Sequence, residues 1–341
     1  MNAAIFAFTE RGKALALRIK GILAADFEEV RVIVPERLAD DDCAAYTGGL
    51  SEFTGALFDR DALLFVGACG IAVRAVAPHA SDKRSDPAVL CVDERRQYVI
   101  PLLSGHIGGA NRLAKALAAA LGAVPVITTA TDINGRFSAD AWAAECGLYI
   151  SDMALAKRVS AEILTRDIPF YSDHAAPDMP LPNGLVWAES GELGVCVSAR
   201  DIRPFSDTLL LVPKALRVGI GCRRGAAKEA VDALIGRVFR ENRLRIEAVA
   251  GAATIDVKSD EPGLIECCRG RGWPVAFHTA EQLAAVPGDF TSSKFVESAV
   301  GVGNVCERAA AAEGGRIIVP KTAENGVTIA VAEMKWGIDF G

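Results

Sequence analysis

Aromatic residues are scarce in this chain, 6% against 51% hydrophobic residues overall, so any core must be aliphatic. Alanine, valine, leucine and isoleucine supply it, the habit of α/β proteins whose parallel strands are buried on both faces. Histidine is rarer still: four in 341 residues, none at ligand spacing from another. The nine cysteines (Cys43, Cys69, Cys91, Cys146, Cys196, Cys222, Cys267, Cys268 and Cys306) never form a C-x-x-C pair. Both absences speak against a structural zinc site. The thiols read as reduced, small hydrophobes, and only the vicinal pair Cys267 and Cys268 stands apart. A basic surplus is missing too. The formal net charge is −6, which excludes the basic face a nucleic-acid partner demands. It leaves room for an anionic small molecule held by local arginines and helix N-termini. No apolar run reaches the roughly 18 residues that a membrane helix needs. The opening, MNAAIFAFTERGKALALRIK, has no basic stretch before its apolar one, so it reads as a strand entering a helix and not as a leader. The expected location is the cytoplasm, with no membrane partner.

The length suits two or three domains. Residues 3–8, 30–34, 62–66 (ALLFV), 89–93 (VLCVD), 98–103 (YVIPLL) and 125–130 (PVITTA) have the apolar character of strands, while 11–24 and 109–121 carry helical spacing. From about 145 the signal weakens into a helix near 152–165 and short strands among prolines and aspartates. It restarts at LRVGIGCRRG, 216–225, and strands and helices alternate to the end. The expected architecture is α/β: two Rossmann-like, doubly wound α/β domains, 1–144 and 215–341, with a smaller middle region, 145–214.

Four segments carry candidate chemistry. LLSGHIGGAN places Ser104 and His106 just after a strand, with Gly105, Gly108, Gly109 and Asn111 opening a helix. Such a turn is expected to expose N–H groups at a positive helix end, where a carboxylate or a developing oxyanion would sit. His106 there is a general acid or base, or a histidine hydrogen-bonded into a tight turn. In TTATDINGR, Asp132 and Asn134 orient water or a substrate hydroxyl, or Thr131 and Asp132 only cap a turn. Arg74 lies one turn into the helix after Gly70, near where an anion would sit; Lys83 and Arg84 read as solvated charges. GIGCRRG is one residue too long for a dinucleotide fingerprint, and a turn at Gly221 presenting Arg223 and Arg224 to carboxylates fits better. ATIDVKSDEPGL crowds Asp256, Lys258, Ser259, Asp260 and Glu261 together, either a site or a helix entry with capping acids. Neither a G-x-S-x-G elbow nor a Walker A loop is present.

FVGACGIAVRAVAP, SDKRSDPAVLCVDE, LLSGHIGGANRLAKALA and VPVITTATDINGRFSAD resemble the amino-terminal domain of the cobalt-precorrin-5A hydrolase family, the CbiG family of anaerobic cobalamin (vitamin B12) biosynthesis. VGIGCRRG, ATIDVKSDEPGL, SSKFVESAVGVGNVCERAA and IIVPKTAENGVTIAVA resemble its carboxy-terminal domain. GACG carries Cys69 where a hydroxyl or small residue is expected. The resemblance implies a hydrolase acting on carbon–carbon bonds. Water opens the δ-lactone of a cobalt tetrapyrrole, and the two-carbon unit at C20 leaves as acetaldehyde, giving cobalt-precorrin-5B. On the reading of the four segments, His106, Asp132 and Glu261 are the expected catalytic groups, with Arg74, Ser104, Gly105, Gly108, Gly109, Asn111, Thr131, Asn134, Gly221, Arg223, Arg224, Lys258 and Ser259 expected to bind substrate. No cofactor and no protein-held metal are implied, the cobalt being carried by the substrate. The expected partners are the tetrapyrrole itself and, at hand-over, other enzymes of the corrin pathway; a dimer is left open. The rivals are a non-catalytic corrinoid carrier or chaperone, and a nicotinamide-dependent reductase.

Overall fold

The computed structural model describes residues 1–82, 85–175, 179–291 and 303–340. Lys83, Arg84 and the whole of SSKFVESAVG lie outside the described residues. Among the described residues no helix is long and apolar enough to cross a membrane. The chain falls into two compact units, Met1–Glu145 with Ile163–Thr165, and Cys146–Glu162 with Arg166–Gly341.

The first unit holds strands β1 (Asn2–Ala7), β2 (Glu29–Pro35), β3 (Ala44–Tyr46), β4 (Ala62–Val66), β5 (Ala88–Val92), β6 (Tyr98–Leu103) and β7 (Val124–Pro125). They form one sheet in the order β3-β2-β1-β4-β5-β6-β7. Its helices are α1 (Glu10–Leu23), α2 (Leu50–Gly55), α3 (Cys69–Val76), α4 (Ala110–Leu121), α5 (Ala130–Ile133) and α6 (Ala139–Glu145). All five residues of β4 are buried because helices cover both faces. Leu15, Ile19 and Leu23 of α1 and Leu117 and Leu121 of α4 pack with Ile5 and Leu64. Ala72 and Val76 of α3 pack on the other face with Phe6, Leu63 and Phe65. The unit is doubly wound, as the continuous apolar strands imply.

One pair breaks the parallel pattern. The Asp93 carboxylate accepts the N–H groups of Arg95 (2.9 Å), Gln97 (2.8 Å) and Tyr98 (2.6 Å), folding the chain back so that β6 runs antiparallel to β5, with Leu103 opposite Val89. The segment after β6 therefore emerges at the amino ends of β5, β4 and β1. The strand expected over 125–130 shrinks to Val124–Pro125. Val126 N–H still donates to the Val99 carbonyl (2.9 Å), but the next donor along β6 would be Pro101, which has no N–H, and the ladder stops.

The second unit contains two sheets. Strands β8 (Tyr149–Ile150), β9 (Ile168–Ser172), β10 (Leu185–Trp187), β11 (Gly191–Val197) and β12 (Phe205–Val212), with helix α7 (Met153–Glu162), build the first in the order β10-β9-β11-β12-β8. Strands β13 (Leu216–Cys222), β14 (Val249–Ile255), β15 (Val275–His278), β16 (Arg316–Glu324) and β17 (Val327–Glu333) build the second, ordered β15-β14-β13-β17-β16. Helices α8 (Lys228–Glu241), α9 (Pro262–Gly270), α10 (Ala280–Ala285) and α11 (Cys306–Ala311) accompany it. The middle region is thus a folded sheet, and the core does not divide at 215. Cys196, Leu210 and Val212 share one buried cluster with Leu216, Val218 and Ile220, since only Pro213, Lys214 and Ala215 separate β12 from β13. All nine cysteines are free. Cys267 and Cys268 are buried on α9, and burial pushes their thiols up to about 12 and about 11, which leaves both as packing groups.

Candidate functional site

Ser104 ends β6 in the left-handed region (φ 56°), an uncommon conformation for a residue with a Cβ. Its hydroxyl donates to the Asp86 carbonyl at 3.0 Å, and the residue is buried. The glycines that follow answer two needs. Gly109 adopts φ 78°, and a Cβ on Gly108 would stand 2.4 Å from the Ser104 Cβ. The turn closes on itself: Gly109 N–H donates to the His106 carbonyl (2.9 Å), Ala110 N–H to Ser104 (3.1 Å) and Asn111 N–H to Gly105 (2.9 Å). Three of the N–H groups expected to be open to an anion are thus consumed inside the turn.

His106 lies between two carboxylates. Its Nδ1 is 3.2 Å from Asp140 Oδ1 and 3.3 Å from the Ser138 hydroxyl. Its Nε2 is 3.3 Å from Asp132 Oδ2 and 3.4 Å from the Thr131 hydroxyl. The hydrogen bond with Asp140, with both carboxylate charges behind it, raises the imidazole pKa against the opposing effect of burial. Burial pushes the Asp132 carboxyl up, but Lys115, Thr129 and Asn111 outweigh it and hold the group down at about 2. Lys115 Nζ is 2.7 Å away, the Thr129 hydroxyl 2.6 Å and Asn111 Nδ2 3.0 Å. The constellation is a fixed carboxylate beside an imidazole biased toward its cation, a proton donor near neutral pH.

His106, Asn111, Arg112, Lys115 and Asp132 line a cavity of about 640 Å³, whose far wall is Met1, Asp61, Pro87 and Ala88 at the amino ends of β1, β4 and β5. Gly105, Gly108 and Gly109 line it too. The structure therefore brings six of the amino-terminal candidates to this wall and leaves out four. Ser104 and Thr131 are buried and off the wall, the Thr131 hydroxyl beside the His106 ring. Arg74 is exposed on α3 with its guanidinium 3.4 Å from the Gly70 carbonyl; Asn134 Nδ2 donates to the Ala130 carbonyl at 2.8 Å, a cap on α5. Asp140 escaped the sequence reading, because an acid near a helix start looks like a capping residue. It is buried, and the ring of His106 stands between it and the cavity wall.

The second unit has its own cavity, about 700 Å³, at the carboxyl ends of β13 and β14. Gly221, Cys222, Arg223, Arg224, Lys258 and Lys321 line it. The two loops 221–225 and 256–261 meet there: Gly225 N–H donates to Glu261 Oε1 at 2.7 Å, and Lys258 Nζ is 3.2 Å from Oε2. Glu261 is fully buried at the N-cap of α9 and does not line the cavity. It braces the two loops, and a place behind the cavity wall does not support the catalytic role expected of it. Ser259 is likewise off the wall, its N–H closing a turn onto the Asp256 carbonyl at 2.9 Å. Arg224 pairs with Asp260. Arg223 and Lys321, by contrast, have no side-chain partner among the described residues. Lys321 was missed, since a lysine after an apolar strand looks like a solvated end. Its N–H is held by buried Glu307 at 2.6 Å. Among the described residues no group of three or more His, Cys, Asp and Glu side chains is arranged to hold a metal ion.

Residues 52–132 match the family model described as cobalamin synthesis G N-terminal, and residues 216–332 the one described as cobalamin synthesis G C-terminus. The first span contains His106 and Asp132, the second Arg223 and Lys321. The chain is similar to the cobalt-precorrin-5A hydrolase of Salmonella typhimurium, 35% identical over 97% of each protein. It is 29% identical to that of Priestia megaterium, over 84% of this chain and 82% of that one. The crystal structure of a cobalamin biosynthesis protein G homologue from Sulfolobus solfataricus aligns over 97% of both chains at 24% identity with a TM-score of 0.41.

Proposed function

This chain belongs to the cobalamin synthesis G family, that of the cobalt-precorrin-5A hydrolases, and from that premise we propose that it hydrolyses cobalt-precorrin-5A. Water opens the δ-lactone, and the two-carbon unit at C20 leaves as acetaldehyde, giving cobalt-precorrin-5B. The observation that carries the catalytic reading is the cavity-facing pair His106 Nε2 and Asp132 Oδ2, 3.3 Å apart. Asp132, ionised throughout the neutral range, orients the attacking water. The imidazolium of His106 donates its proton to the departing lactone oxygen, while both protons of the water pass to solvent, one as it adds to the carbonyl carbon and one as the new carboxyl group ionises. In the second step the carbon bearing the freed hydroxyl becomes the aldehyde. Its bond to the macrocycle breaks, the electron pair passes into the conjugated ring, and the neutral imidazole takes up the hydroxyl proton. His106 ends as it began, so one group serves both steps.

The periphery of the substrate is anionic, and the cations on the carboxy-terminal cavity suit it. Arg223 and Lys321 are the free anchors; Arg224 and Lys258 reach it already paired with Asp260 and Glu261. The reaction asks no cofactor of the protein, because the cobalt is part of the substrate. Nine unpaired thiols fit a reducing compartment, and we place the enzyme in the cytoplasm, handing its product to the next corrin-pathway enzyme. Acetaldehyde assayed with purified protein and cobalt-precorrin-5A should appear in one-to-one ratio with substrate consumed. Tight binding of the tetrapyrrole without any aldehyde would make the protein a carrier instead.

A further inference from the structure

The imidazole of His106 has a second carboxylate behind it that no step above uses. Asp140 is 5% exposed and lies off the cavity wall, whereas Asp132 lies on it. Three donors converge on one oxygen of Asp140: His106 Nδ1 at 3.2 Å, the Ser138 hydroxyl at 2.8 Å and the Ala141 N–H at 3.1 Å. The Ser138 hydroxyl spends its proton on Asp140, so its remaining lone pairs face Nδ1 at 3.3 Å. Both neighbours of Nδ1 are therefore acceptors, and that nitrogen must carry hydrogen. The other nitrogen faces Asp132, whose charge is shared with Lys115, Asn111 and Thr129, and the Thr131 hydroxyl.

We propose that Asp140 is the positioning residue of this site: it keeps Nδ1 of His106 protonated, so that Nε2 is the atom that gives and takes the proton at the substrate. This rests on His106 being the proton donor of the proposed reaction. Without the Asp140 charge the neutral ring would favour the opposite tautomer, with Nε2–H on Asp132 and Nδ1 accepting from Ser138. Nε2 would then have no lone pair with which to take the hydroxyl proton in the aldehyde-releasing step. Among the described residues the charged groups facing the ring include Asp140 from α6, Asp132 from α5 and, through Asp132, Lys115 from α4, with Arg112 on the same wall. The Asp140 and Asp132 carboxylates at the two ring nitrogens favour the imidazolium, in line with its raised pKa.

The test uses the full chain with Asp140→Asn, Asp140→Glu and, as marker, His106→Gln. The ring proton resonances of His106, assigned by their loss in His106→Gln, are titrated by NMR, and acetaldehyde release is followed across the neutral pH range. Asp140→Asn should lower the His106 midpoint by about one pH unit or more. It should cut kcat by about 10²- to 10⁴-fold while KM changes less than about threefold. Asp140→Glu should recover part of both. An unshifted His106 midpoint in folded Asp140→Asn overturns the proposal, and so does wild-type kcat in that variant. If Asp140→Asn fails to fold, the wild-type titration decides: a His106 midpoint at or below the ordinary value of about 6.5 overturns it. Full turnover in His106→Gln would instead sink the catalytic reading above, while the titration still reports whether Asp140 controls the ring.

Discussion

The two cavities lie at different ends of their sheets. In the amino-terminal unit the wall is built at the amino ends of parallel strands, where Met1, Asp61 and Ala88 stand. In the carboxy-terminal sheet it is built at the carboxyl ends of β13 and β14, the usual place in an open α/β sheet. The difference traces to strand direction. β6 is antiparallel to β5, so it delivers its following turn, with His106, to the edge that parallel strands leave unused. β17 is also antiparallel, to β13, but there the start of the strand, opposite Cys222, adds Val327 and Thr328 to the carboxyl edge. The charges differ as well. Six carboxylates face three basic side chains on the first wall; one carboxylate faces four cations on the second. A wall of acids around a histidine suits proton transfer, and a wall of cations suits holding carboxylates. The edge rule locates sites by where loops emerge, and a single reversed strand moves the loops.

The comparison breaks most sharply at His106. His106→Ala should reduce acetaldehyde release by about 10²- to 10⁴-fold with KM nearly unchanged. Because the ring bonds to two carboxylates, it should also cost about 2 kcal/mol in a denaturant titration, the scale of hydrogen bonds to charged groups. A near-wild-type rate would remove the division of labour altogether. Next in size, Arg223→Gln combined with Lys321→Gln should raise KM by about tenfold, each exposed or half-exposed contact contributing about 1 kcal/mol or less. In steady-state kinetics kcat should stay within about twofold; a loss confined to kcat would place chemistry, not anchoring, in the carboxy-terminal cavity. Smaller still in kinetics is Glu261→Gln. It should leave kcat at saturating substrate almost untouched while lowering stability by about 2–3 kcal/mol, because Lys258 loses its buried partner.

Stability against pH sharpens the contrast with the least perturbation. The folded-state pKa of His106 is raised, so the stabilisation it contributes is complete below the unfolded value of 6.5 and is lost as pH rises through the folded value. Asp132 works the other way. Its folded pKa of about 2 lies below 3.8, so its contribution is complete above the unfolded value and fades as pH falls toward about 2. The melting temperature of wild type should therefore decline through the mildly alkaline range more steeply than that of His106→Gln. Parallel curves would mean that the ring carries no extra proton in the folded state.

Much of the frame was legible from the chain alone. ALLFV, VLCVD and YVIPLL are continuous apolar runs, and continuous burial on both faces is what such runs encode; all three are strands. SGHIGGAN was legible as a tight turn because glycines cluster only where the backbone needs positive φ or close approach. In the middle region a helix and short strands were legible, but not their assembly into one sheet, since the strands lie among prolines and aspartates whose local preference is for loops. Nor were the roles of Glu261 and Arg224, which depend on what stands opposite.

What the sequence determined by itself is local: which runs are buried, where the chain turns, and which residue types stand at the turns. Those follow from side-chain hydrophobicity and backbone sterics, which act over a few neighbours. Which carboxylate meets which nitrogen was decided only in three dimensions. Asp132 and Asp140 lie 26 and 34 residues beyond His106, on two short helices. Their approach to its ring depends on the β5–β6 reversal and on the packing of α4. Electrostatic coupling depends on distance through space, and chain spacing carries no record of it.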